Sequence, residues 1–148
     1  MKKKLTKIIP AFICAIALCL TVSILCACAP KEVVTFTGSR DIMTLDTQCT
    51  LTLNSDNTCT YTAILDADES MKNNLEPALA RTGTWELKDN VYTVNFVPLT
   101  VTSRGQEITF PAVTLKSTYT EANKTHTIEY SMPGFNGNFD VTLKYVEA

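Results

Sequence analysis

Histidine and tryptophan occur once each in this chain of 148 residues, and glycine only five times. A lone histidine, His126, cannot build a multi-histidine zinc site, and neither His-Glu-x-x-His nor Cys-x-x-Cys spacing exists, so no metal is expected. The scarce glycines form no phosphate-cradling loop and no dinucleotide fingerprint, and Gly-x-Ser-x-Gly is missing. No amphipathic helix of useful length stands out either. These absences lead to the expectation of a non-catalytic protein without a cofactor. Acidic residues are missing ahead of Glu32, whereas Lys2, Lys3, Lys4 and Lys7 precede an apolar run from Ala11 to Ala27. Without those four lysines, nine of the 13 basic residues remain against 15 acidic ones, a net charge of −6. A chain that acidic repels polyphosphate, so nucleic acid is not an expected partner.

A basic start, an apolar stretch and a small-residue exit make residues 1–27 read as a secretory signal. The exit, Leu25-Cys26-Ala27-Cys28, resembles a bacterial lipobox. That resemblance implies that Cys28 becomes the diacylglyceryl-modified first residue of the mature chain. Cys26 fits less well, because Leu25 is too large for the position before the modified cysteine. Residues 28–32 would then be a short tether and the membrane a partner through Cys28. The location implied is the bacterial cell envelope, on the outer face of the cytoplasmic membrane or on the outer membrane. An uncleaved span is one alternative, since 17 residues lie at the lower limit for crossing a bilayer. A secreted protein cleaved elsewhere is the other.

From Val33 onward threonine alternates with apolar residues, the period of strands with one wet and one buried face. Asn54-Ser55-Asp56-Asn57 is a turn cluster that pairs Leu53 with Cys59. Asp89-Asn90 makes the next turn, pairing Trp85 with Val94 and placing Trp85, Leu87, Tyr92, Val94 and Phe96 on one face. Apolar parity changes at Pro98 and again at Pro111. Pairing Val101 with Ile108 sets the two prolines opposite each other, as in one long hairpin bent at a bulge. His126 should pair with Tyr119 across Glu121–Lys124, and with Tyr145 across the loop Pro133–Asn138. Met71 and Leu75 have helical spacing, limited by Pro77. Asp66, Asp68 and Glu69 fail as a calcium loop, because Met71 stands where glycine is required, and so read as exposed solvating charge.

With Val33–Thr37 as a first strand, residues 33–148 give about eight antiparallel strands in an up-and-down meander. Such a sheet can close into a barrel and remove its edges; a β-sandwich is the alternative fold. Gly83-Thr84-Trp85 and the run Leu51–Thr58 resemble the Gly-x-Trp and strand–turn–strand of calycins, specifically of small lipocalin-like bacterial lipoproteins. That resemblance implies a membrane-anchored barrel binding a small apolar or amphipathic ligand. An interaction module with a filled barrel, serving an envelope protein partner, is the alternative. The candidate ligand-binding residues are Trp85, Tyr119, His126 and Tyr145, with a packed core role as the competing reading for Trp85 and a packed rim role for His126. Cys49 and Cys59 share a face but stand about 13 Å apart along the strands, too far to bridge. The register therefore favours buried free thiols over a disulfide.

Replacing Cys28 by Ala should release the protein from membranes or block its maturation. Wild-type fractionation and migration of the variant would contradict the lipobox reading.

Overall fold

The computed structural model describes residues 32–42, 44–103, 105–134 and 137–147. The leader, Cys28 and most of the tether lie outside the described residues. Among the described residues eleven strands follow in chain order: β1 (Glu32–Ile42), β2 (Leu45–Asn54), β3 (Thr58–Leu65), then helix α1 (Glu69–Leu79), β4 (Arg81–Lys88), β5 (Val91–Phe96), β6 (Leu99–Ser103), β7 (Gln106–Phe110), β8 (Val113–Lys116), β9 (Thr118–Thr120), β10 (Thr125–Gly134) and β11 (Gly137–Val146). Nine of them form one sheet in the order β8-β5-β4-β3-β2-β1-β11-β10-β9, while β6 and β7 pair as a separate ribbon. The nine-stranded sheet curls into an almost closed antiparallel barrel that resembles the calycin fold, not a sandwich of two sheets.

The expected registers hold at Leu53↔Cys59, Trp85↔Val94, Val101↔Ile108, Tyr119↔His126 and His126↔Tyr145. Alternation carries them, since a slip of one residue would turn every buried side chain outward. Asp89 and Asn90 both take positive φ, 51° and 60°, the geometry a two-residue hairpin needs.

Three details of the strand pairing differ from expectation. The hairpin β5–β8 and the ribbon β6–β7 keep one register, Phe96↔Val113 and Leu99↔Phe110, so no bulge residue is inserted. Both strands skip together at the prolines, and parity changes on both sides at once. Arg81 clips the gap: its Nη2 donates to Val97 O at 2.9 Å and to Pro111 O at 2.8 Å. The first hairpin runs further than its alternation suggested, to Ile42↔Leu45. Gly38 sits in this extension because a Cβ there would collide with the carbonyl of Thr142 on β11. Likewise β10 and β11 pair as far as Gly134↔Gly137, so Pro133 and Asn138 belong to the ladder and not to a loop.

Helix α1 includes Pro77, which has no N–H to donate to the Asn73 carbonyl, and the helix ends two residues later at Leu79. Asp68 is its N-cap, its carboxylate accepting from Met71 N at 2.9 Å, so this residue is structural and not merely solvating charge. Glu76 ties the helix to the barrel by accepting from Leu65 N at 3.0 Å.

The barrel encloses its own side chains. Phe36, Leu51, Leu53, Tyr61, Val94, Ile128 and Leu143 are fully buried. Tyr61, Phe96 and Tyr130 pack edge-on or tilted with ring centroids 5.0–6.3 Å apart, the separations aromatic pairs favour. Cys49 and Cys59 are free and buried on that same inner surface. Burial pushes the Cys59 thiol up to about 11 and raises Cys49 as well, so neither is a thiolate at neutral pH.

A maleimide at pH 7.5 should therefore leave both thiols untouched in the native protein and modify both on unfolding without reductant. Protection that persists in denaturant until a reductant is added would reveal a disulfide and break the Leu53–Cys59 register.

Candidate functional site

Strand geometry sends the four candidate residues to one end of the barrel. Trp85 arrives on β4, Tyr119 on β9, His126 on β10 and Tyr145 on β11, all at inward-facing positions. Tyr92 and Phe36 join them into one aromatic cluster. His126 meets Tyr119 at 4.6 Å, Tyr92 at 4.8 Å and Tyr145 at 6.1 Å between ring centroids. Trp85 reaches the cluster through Tyr92 at 5.9 Å, and its indole N–H donates to Asn54 O at 2.9 Å. Phe36 lies 5.5 Å from Tyr92 and 5.6 Å from Tyr145.

His126 is the fully enclosed centre of this cluster, while Trp85, Tyr119 and Tyr145 are half-buried around it. Both of its ring nitrogens have partners. Nε2 lies 3.0 Å from Glu147 Oε1, and Nδ1 lies 3.4 Å from Ser117 Oγ. The Tyr119 hydroxyl donates to the other oxygen of Glu147 at 3.3 Å. Burial raises the Tyr92 phenol, and Tyr145 and Glu147 add to that shift. The Tyr119 phenol is raised by desolvation and by the Glu147 carboxylate beside it.

Ser117 explains why the histidine is here. It stands between β8, which pairs with β5, and β9, which pairs with β10. Its backbone N–H donates to Tyr92 O at 2.9 Å, continuing the β5–β8 ladder. Tyr92 N then donates at 2.9 Å to the Ser117 hydroxyl. A side-chain oxygen thus accepts what a strand carbonyl ordinarily would. The chain transfers from one neighbour to the other without orphaning the buried Tyr92 amide. The hydroxyl–imidazole–carboxylate order of Ser117, His126 and Glu147 is that of a nucleophile relay in composition. Ser117 is 6% exposed, and its hydroxyl accepts the Tyr92 amide, which ties the three side chains to the barrel wall.

Ser117, Glu147 and Arg81 were not candidates in the sequence. Ser117 had one signal, a polar residue at an inward position between Leu115 and Tyr119. Arg81 had a similar one, sharing the parity of Trp85 on β4; it is 4% exposed, its guanidinium 5.7 Å from the centre of the Phe96 ring. Glu147 had none, since it follows the last strand.

Two concavities lie away from the aromatic end. One, of about 20 Å³, is bordered by Leu79, Arg81, Leu99, Phe110, Tyr130 and Met132, and is room for roughly a water. The other, about 350 Å³, is an outer groove between α1 and β3, lined by Thr62, Ile64, Lys72, Glu76, Pro77 and Ala80 among others. Among the described residues, no group of three histidine, cysteine or acidic side chains could hold a metal ion, and no helix is long and apolar enough to cross a membrane.

Substituting Ser117 by Ala should cost about 1–3 kcal/mol in chemical denaturation, because the Tyr92 amide is left buried without an acceptor. A midpoint equal to wild type would show that the seam does not depend on the hydroxyl.

No protein-family model, no curated protein and no solved structure matches the chain.

Proposed function

We propose that this chain is a lipid-anchored, non-catalytic binding module of the bacterial cell envelope, and that it meets a protein partner on the outside of a filled barrel. The packed interior carries the reading. Small-molecule sites usually offer a few hundred Å³, whereas here Phe36, Leu51, Leu53, Tyr61, Val94, Ile128 and Leu143 take up the inside of the barrel at full burial. The groove between α1 and β3 reaches about 350 Å³. Ile64 is 55% exposed in it and Met71 on α1 is 41% exposed, with Lys72 and Glu76 alongside. Apolar side chains at a polar-edged concavity are the composition of a recognition patch. The anchor rests on the lipobox at Cys28, and the non-catalytic reading is supported by the engagement of the Ser117 hydroxyl with the buried Tyr92 amide.

A small apolar or amphipathic ligand is the second reading, supported by the half-buried rings of Trp85, Tyr119 and Tyr145 around the rim. In this version the ligand lies across the barrel end and not inside it.

A photoreactive side chain at Ile64 tests the leading reading in cells. It should yield one discrete protein adduct, and the same probe at Thr114, which is exposed on β8, should yield none. Equal labelling from both positions would contradict the groove as recognition surface. Native mass spectrometry of the extracted protein separates the readings: a stoichiometric small molecule retained by wild type and lost with Tyr119→Ala would favour the second.

A further inference from the structure

Among the described residues, three of the six exposed large apolar side chains lie at the end of the barrel where β1 begins. β1 starts at Glu32, which pairs with Asn54 at the β2–β3 turn, and Asn54 O is the acceptor for the Trp85 indole. The chain from Cys28 therefore joins the barrel at its aromatic end. Val33 on β1 is 51% exposed, Val146 on the adjacent β11 is 62% exposed, and Leu87 beside the β4–β5 turn is 50% exposed. Leu87 shares the inward parity of Trp85, yet β4 extends past the barrel wall and leaves it open to solvent. Inside this rim lie the half-buried Trp85, Tyr119 and Tyr145. The result is an apolar collar around amphipathic rings, at one end of a protein whose outer strand faces are otherwise rich in threonine.

Chain length determines what this end can meet. From Cys28 to Glu32 an extended chain spans at most about 15 Å, so an acylated Cys28 holds this end within that distance of the bilayer. Tryptophan and tyrosine partition to the headgroup level, where a ring can be half dehydrated while its polar atom remains bonded. The charges close by are mixed: Asp56, Asp89, Glu121 and Glu147 against Lys88, Lys124 and Lys144. An apolar contact with zwitterionic lipid suits that balance better than attraction to an anionic surface.

We infer that the collar of Val33, Leu87 and Val146, with Trp85, Tyr119 and Tyr145 inside it, is a membrane-docking face that seats the barrel end-on at the lipid headgroup level. This rests on the lipid-anchor reading above. It directs the opposite end, with the β6–β7 ribbon and the proline switch, away from the bilayer.

Trp85 is the only tryptophan, so its fluorescence reports this face alone. The acylated protein is reconstituted in phosphatidylcholine vesicles bearing a nitroxide either on the headgroup or at mid-chain, and co-flotation is measured alongside emission. Co-flotation with a loss of Trp85 emission, greater for the headgroup nitroxide, is expected. Leu87→Asp with Val146→Asp should retain co-flotation and restore the emission, showing that the collar and not the anchor seats the face. Co-flotation with unquenched Trp85 would overturn the docking face and leave the anchor standing. Failure to co-float would overturn the anchor, and the docking face with it.

Discussion

A single hydroxyl stands where the chain passes from β8 to β9 and changes neighbours. At Ser117 the chain stops pairing with β5 and starts pairing with β10, and a strand that turns away would ordinarily abandon a buried amide. The Ser117 Oγ accepts that amide, Tyr92 N, at 2.9 Å. On its other side it reaches His126, which passes the connection on to Glu147 beyond the last strand. Closure of the wall, burial of the histidine and attachment of the chain end all run through this seam. Buried polar networks of this kind stabilise only when every member is satisfied, and here each ring nitrogen and the transferred amide has a partner.

Closure in turn decides what the interior can be. Inward positions carry phenylalanine, tyrosine, leucine and isoleucine at full burial, whereas a barrel of about eight strands is wide enough either to be filled by side chains or to hold one small ligand. The aromatic centroid distances are those of a packed core, and the cavity near Tyr130 and Met132 has room for about one water. The surfaces such a scaffold offers to a partner are its ends and outer grooves. One end gathers the tether and the aromatic collar, while the α1–β3 groove exposes Ile64 beside Lys72 and Glu76.

Alternation made most of the barrel legible. A period of two is unforgiving, and the pairings of Leu53 with Cys59 and of His126 with both tyrosines could be read from parity and turn residues alone. Legibility failed where a strand continues for tertiary reasons. Gly38 to Ile42 has no alternation to show, because Gly38 is set by its closeness to Thr142 of β11 rather than by its neighbours in sequence. Leu87 has inward parity but no wall across from it, so pattern alone buried it too deeply. The candidate residues Trp85, Tyr119, His126 and Tyr145 do gather at one end. Their organiser, Ser117, was hidden because serine at an inward position has meaning only once its partners from β5 and β10 are in place. Cys28 remains a sequence inference, outside the described residues.

Native-state amide hydrogen exchange at Tyr92 and Ser117 tests the seam most directly. Both amides donate within the seam, one to the Ser117 hydroxyl and one to Tyr92 O. They should exchange only with global unfolding, as slowly as the amides of Leu51 and Tyr61 in the core strands β2 and β3. Exchange of Tyr92 and Ser117 at the rate of a turn residue such as Asn90, with Leu51 and Tyr61 still protected, would show a barrel that opens at this point and would contradict the account.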